Sequence, residues 1–169
     1  MRTTEAGGPR GFDGGKKVSG RKRHILADTE GTLLKARVHP ADIHDRSGAP
    51  LLLAGLDAEF PRIALVWADT AYQGLKAWMA EVLGWRLTIS RHWRTGLRGV
   101  WLAPGQQPPE TPRGFHVLKR RWVVERTFAW IGRNRRMGRD HERLIETSEM
   151  PLYASMARVT LRRLAKRTN

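Results

Sequence analysis

The chain has 169 residues, enough for one compact domain that buries roughly 70% of the surface its unfolded form exposes. Its 31 Lys and Arg stand against 16 Asp and Glu, a formal charge of +15, which attracts polyanions and makes nucleic acid the leading partner. The absence of cysteine excludes disulfides, thiolate zinc sites and cysteine nucleophiles. No apolar run approaches the ~20 residues that span a bilayer, and residues 1–6 lack the apolar stretch of a signal peptide, so a cytoplasmic location without membrane attachment is expected.

Residues 1–23 are rich in glycine and poor in apolar periodicity, and read as a basic arm or loop carrying Lys16, Lys17, Arg21, Lys22 and Arg23. Residues 24–169 read as the folded domain. His24–Ala27 and Thr32–Val38 are short apolar runs separated by Asp28-Thr-Glu-Gly31, a turn-forming set that predicts an antiparallel hairpin. Asp42 is a plausible N-cap for a helix over 43–53, ended near Gly55.

Arg62–Trp67 is nearly all apolar, the pattern of a strand buried on both faces, and Asp69 lies just past its end. Residues beyond the carboxyl ends of strands face ligands in open α/β sheets, which makes Asp69 a functional candidate; a turn or N-cap aspartate is the plain alternative. A helix over 73–83, a strand over 85–90 and a long loop over 95–112 follow. Trp67, Trp122 and Trp130 read as core, whereas Trp93 and Trp101 sit in settings suited to stacking on an unpaired base.

Between 112 and 143 ten Lys or Arg face three acids, a clustering that a solvated charged surface alone explains poorly. Lys119 to Arg133 predicts a helix with an apolar stripe of Val124, Phe128 and Ile131. Glu125 lies beside that stripe, four residues after Arg121, so the pair is either an intrahelical ion pair or a metal ligand with a phosphate-holding arginine. Ser148 predicts the cap of a last helix with Leu152, Met156 and Val159 inward; Arg158, Arg162 and Lys166 line another side, as a solvated face or a DNA contact. The pair His39 and His44 is thin support for zinc.

If the strand ending at Asp69 and the helix of Glu125 meet in one sheet-and-helix fold, their carboxylates can hold Mg²⁺ and serve phosphodiester chemistry. Gly14-Gly-Lys-Lys-Val-Ser-Gly-Arg-Lys-Arg-His24, Asp28-Thr-Glu-Gly31, Val38-His-Pro-Ala-Asp-Ile-His-Asp45, Val66-Trp-Ala-Asp69 with Tyr72, and Arg121-Trp-Val-Val-Glu-Arg-Thr-Phe-Ala-Trp130 together resemble bacterial insertion-sequence transposases of the DDE class. The resemblance implies an α/β fold: a ribonuclease H-like mixed sheet flanked by helices. It also implies cleavage and strand transfer at transposon ends, with Mg²⁺ or Mn²⁺ in a two-metal site.

On that resemblance Asp69 matches the second acid, Glu125 the third, and Arg121 the arginine of the Tyr-Arg-Glu-Lys signature. The signature's lysine falls on Gly132, with Arg133 as a substitute. The usual Asp-Gly-Gly-Tyr reads Asp69-Thr-Ala-Tyr72 here. The first acid and its strand would precede Arg2, ahead of Met1, so the expected fold lacks its first strand. The hairpin and the strand leading to Asp69 would then pair imperfectly or leave open edges. A decayed or frameshifted element, a start codon placed too late, or a downstream reading frame would each produce such a chain. Lys119, Arg120, Arg126, Arg133, Arg135 and Arg136 join the basic residues of 1–23 as expected DNA contacts, and homo-oligomers on paired DNA ends are expected of the full-length protein. A basic nucleic-acid-binding module without catalysis, an inactive remnant and a simple nuclease are the rival readings.

Overall fold

The computed structural model describes residues 1–4, 8–90 and 121–167. Strands β1 (Gly11–Asp13), β2 (Val18–Ala27) and β3 (Leu33–Pro40) form an antiparallel sheet. Strands β4 (Leu65–Ala68) and β5 (Arg86–Ile89) form a separate parallel pair. The helices are α1 (Asp45–Leu53), α2 (Leu56–Glu59), α3 (Lys76–Leu83), α4 (Arg121–Gly132) and α5 (Ile145–Arg167). A 3-10 turn, Thr70–Leu75, joins β4 to α3.

The chain is therefore mixed α/β, but the single mixed sheet expected from the resemblance is divided into two sheets. Among the described residues no strand pairing joins β2 or β3 to β4. The front segment also differs from the expected loose arm. Asp13 Oδ1 accepts from the backbone N–H of Gly15 and Lys16 at 3.1 Å each, closing a turn that pairs β1 with Val18–Gly20. Met1 runs antiparallel to β2, its ammonium donating to Arg21 O at 2.7 Å and Arg21 N donating to Met1 O at 3.0 Å.

The β2–β3 hairpin is the middle layer, because alternate side chains of a strand point to opposite faces. On one face Leu26 joins Ala49, Leu52 and Leu53 of α1, Met79 and Leu83 of α3, Trp85 and Leu87. On the other, Ala36 and Val38, with Ile25 partly buried, meet Ile131 of α4 and Leu152 and Met156 of α5. The hairpin turn closes as expected, with Asp28 Oδ1 accepting from the N–H of Glu30 (2.9 Å) and Thr32 (2.7 Å), and Gly31 at φ 83°, a left-handed conformation that favours glycine.

Several helix assignments shift. α1 starts at Asp45 with His44, in place of Asp42, at its N-cap, and the helix expected over 73–83 begins as the 3-10 turn before α3. The buried side of α4 is Thr127 and Ile131, with Phe128 37% exposed, because the Thr127 hydroxyl donates to Gly31 O at 2.9 Å and so turns that residue inward. Ser148 lies within the first turn of α5, where it serves a buried polar network in place of a cap.

Candidate nucleic-acid and metal site

Asp69 follows β4 directly, and its Oδ1 accepts from Ala71 N at 2.9 Å, which makes it the N-cap of the 3-10 turn. The sequence thus places the carboxylate at a strand end, and the capping bond fixes its approach. Three residues on, Tyr72 is largely buried; that burial, with the Asp45 and Asp69 charges nearby, pushes its phenol well above the ordinary range. Tyr72 packs edge-on against His24, ring centroids 6.0 Å apart, and His24 packs edge-on against His39 at 4.6 Å. Asp69 is in this way tied to the middle of β2.

Glu125 is exposed on α4, and Arg121 is the first residue of that helix. α4 meets the hairpin at its turn: Arg126 Nη2 donates to Glu30 O at 2.9 Å beside the Thr127 bond to Gly31. Among the described residues, no group of three His, Asp or Glu side chains converges on a common ion position. Asp69 and Glu125 carry carboxylates, the hard oxygen donors that cations such as Mg²⁺ or Mn²⁺ prefer.

The expected DNA contacts differ in where the fold puts them. Arg21 is a correction: fully buried, it pairs with Asp140 Oδ2 at 3.0 Å and donates to Ser148 Oγ (2.6 Å) and to the carbonyls of Pro9 (2.8 Å), Glu142 (2.9 Å) and Arg143 (2.9 Å). A guanidinium so enclosed has no face for a phosphate. Lys22 and Arg23 are also engaged within the fold, Lys22 with Asp45 (3.2 Å) and Ile43 O (2.9 Å), Arg23 with Met137 O (3.2 Å). Lys16, Lys17, Arg133, Arg135 and Arg136 are exposed, the last paired with Glu142. Lys119, Arg120, Trp93, Trp101 and the 95–112 loop lie outside the described residues.

Arg126 has a role that spacing could have revealed. Trp122, Arg126 and Trp130 recur every four residues and share a helix face, and the guanidinium carbon lies 4.5 Å and 4.7 Å from the two ring centroids. Trp122 is 47% exposed, contrary to its expected core position. Arg163 of α5 stacks on Trp130 at 3.9 Å, a partner that only the tertiary structure supplies.

The order of elements, with an aspartate just past β4 and a glutamate on α4, defines a basic α/β domain that carries an acid at a strand end and another on a helix. The chain belongs to the Transposase DDE domain family, which it matches over residues 1–154. A relative named as the transposase of insertion sequence element IS402, from Burkholderia cepacia, is 32% identical over 127 residues, covering 70% of this chain and 52% of that protein. The chain spans about half the length of that relative. No solved structure matches it. No helix among the described residues is long and apolar enough to cross a membrane.

Proposed function

We propose that this chain is the part of an insertion-sequence transposase that carries the second and third acids of a metal-dependent DNA strand-transfer site, Asp69 and Glu125. The family match across 1–154 carries the reading, and the placement of Asp69 at the end of β4 supports it. Mg²⁺ or Mn²⁺, when bound, would activate a water or 3′-hydroxyl and stabilise the departing oxygen. Asp69, its carboxylate fixed by the capping bond from Ala71, would hold such an ion, and Arg121, four residues before Glu125 on α4, would hold the reacting phosphate.

The remaining carboxylate, the first acid, would come from a strand running beside β2. Met1 already pairs antiparallel with Arg21, and a segment continuing upstream on that line would lie along Lys22–Ala27, on a side of β2 where the described residues place no strand. That strand would unite the two sheets into the ribonuclease H-like arrangement and draw α4 toward β4. The working protein is cytoplasmic and acts as a homo-oligomer on paired transposon ends.

The test joins this chain to its upstream reading frame and follows Mg²⁺-dependent transfer of a labelled transposon end. Asp69→Asn and Glu125→Gln should each reduce transfer to background while the protein stays folded. Full activity in either variant would sink the assignment. The division of the described strands into two sheets favours one second reading, a DNA-binding remnant without catalysis. In that case no joined frame restores transfer, although DNA binding persists.

A further inference from the structure

We infer that the cleft between the β2–β3 turn and the C-terminal half of α5 is a binding site for successive phosphates of a DNA strand. It has a volume of about 530 Å³, within the range of ligand-holding clefts, and its walls include Thr29, Thr32, Arg126, Thr160, Arg163 and Lys166, with Glu30 the one acid. Three cations against one carboxylate leave a local surplus of positive charge.

The arginines are held in place before any ligand arrives. Arg126 Nη2 and Arg163 Nη2 both donate to Glu30 O, at 2.9 Å and 3.3 Å, and both guanidinium groups stack on Trp130. Two like charges anchored to one carbonyl and one ring repel each other, and an anion at their free N–H groups relieves that repulsion. A guanidinium oriented by stacking also loses little conformational freedom when it binds, and its planar fork suits phosphate oxygens. The threonine hydroxyls add neutral donors.

Length along the helix selects a strand over a single anion. Thr160, Arg163 and Lys166 recur every three residues and extend over about 9 Å of α5, more than one phosphate group occupies. This inference rests on DNA being the partner, as proposed above, but not on the carboxylates.

The experiment titrates the chain with a fluorescent duplex in EDTA across a range of salt, for the wild type, Lys166→Gln, Arg163→Gln and the double variant. Each lost phosphate contact lowers the slope of log affinity against log salt by about 0.9, so the double variant should lose about 2 from the slope and bind more weakly at every salt concentration. Lys166 is exposed, so its variant decides the matter even if Arg163→Gln fails to fold. Unchanged slopes in a folded double variant overturn the proposal. A cleft that takes inorganic phosphate, while its variants bind DNA as the wild type does, overturns it too. Failure of strand transfer would refute the catalytic reading and leave these slopes as they are; unchanged slopes would remove the cleft and leave Asp69 and Glu125 standing.

Discussion

Arg21 shows how one residue can change role between sequence and fold. In the sequence it is one of a basic run, Arg21-Lys-Arg23; in the fold it binds β2 to the segment leading into α5. Asp140, 3% exposed, depends on it, and Ser148 Oγ lies within hydrogen-bonding distance of both. Removing one partner of a buried ion pair strands the other charge, which costs about 3–5 kcal/mol. Arg21→Met should therefore lower the unfolding free energy by that amount in urea titrations. A change under about 1 kcal/mol, the size expected of an exposed pair, would show that the network is dispensable.

The element that most needs protection is β3, which would otherwise be a sheet edge open to pairing with other chains. α5 covers it with side chains: Tyr153 Oη accepts from Ala36 N at 2.9 Å, and Glu149 Oε1 accepts from Val38 N at 3.0 Å. Ala36 and Val38 are buried, so water cannot replace these bonds. Tyr153→Phe keeps the ring and removes the oxygen, and should destabilise the chain by about 1–3 kcal/mol with faster amide exchange at Ala36. Exchange at Ala36 as slow as in the wild type would show that the hydroxyl does not guard the edge. The sequence marked α5 and its inward Leu152 and Met156 through their 3.6-residue period, which local chemistry imposes. It gave no sign of the Tyr153 bond, because that partner lies more than a hundred residues away.

Across the whole molecule, the hairpin is joined to α1 through an imidazole pair. His24 and His39 are buried against Gly48, where an added Cβ would come within 2.6 Å of ring atoms of both. Burial holds His24 below its ordinary pKa of 6.5, and His39 adds to the effect, while the Gly48 backbone and Asp45 oppose it. The unfolded chain therefore takes up this proton more readily than the folded one. Stability is full above about pH 6.5 and falls as pH drops below it toward the folded value, by at most about 1.4 kcal/mol per pH unit for this one group. Thermal melts at successive pH values should show Tm falling on acidification, with a shallower fall in His24→Gln. The same dependence in both proteins would place the acid sensitivity elsewhere, for instance at Asp45, whose carboxyl burial pushes up but the Lys22 bond and charge, with His24, hold low on balance.

The sequence by itself determined the α/β class, the hairpin, most helix positions, the surplus of positive charge and the family, since these rest on periodicity, turn chemistry and motifs that act within a few residues. It also found Asp69 at a strand end and Glu125 on its helix, each set by neighbours in the chain. Tertiary structure alone decided which cations face solvent and which, like Arg21, are sealed inside. It likewise decided that the hairpin and β4 lie in separate sheets, and that Arg126 and Arg163 share Trp130. The physical reason is the same in each case: burial, ion pairing and stacking depend on what a distant segment brings to a side chain, and residue type and spacing do not encode that meeting locally.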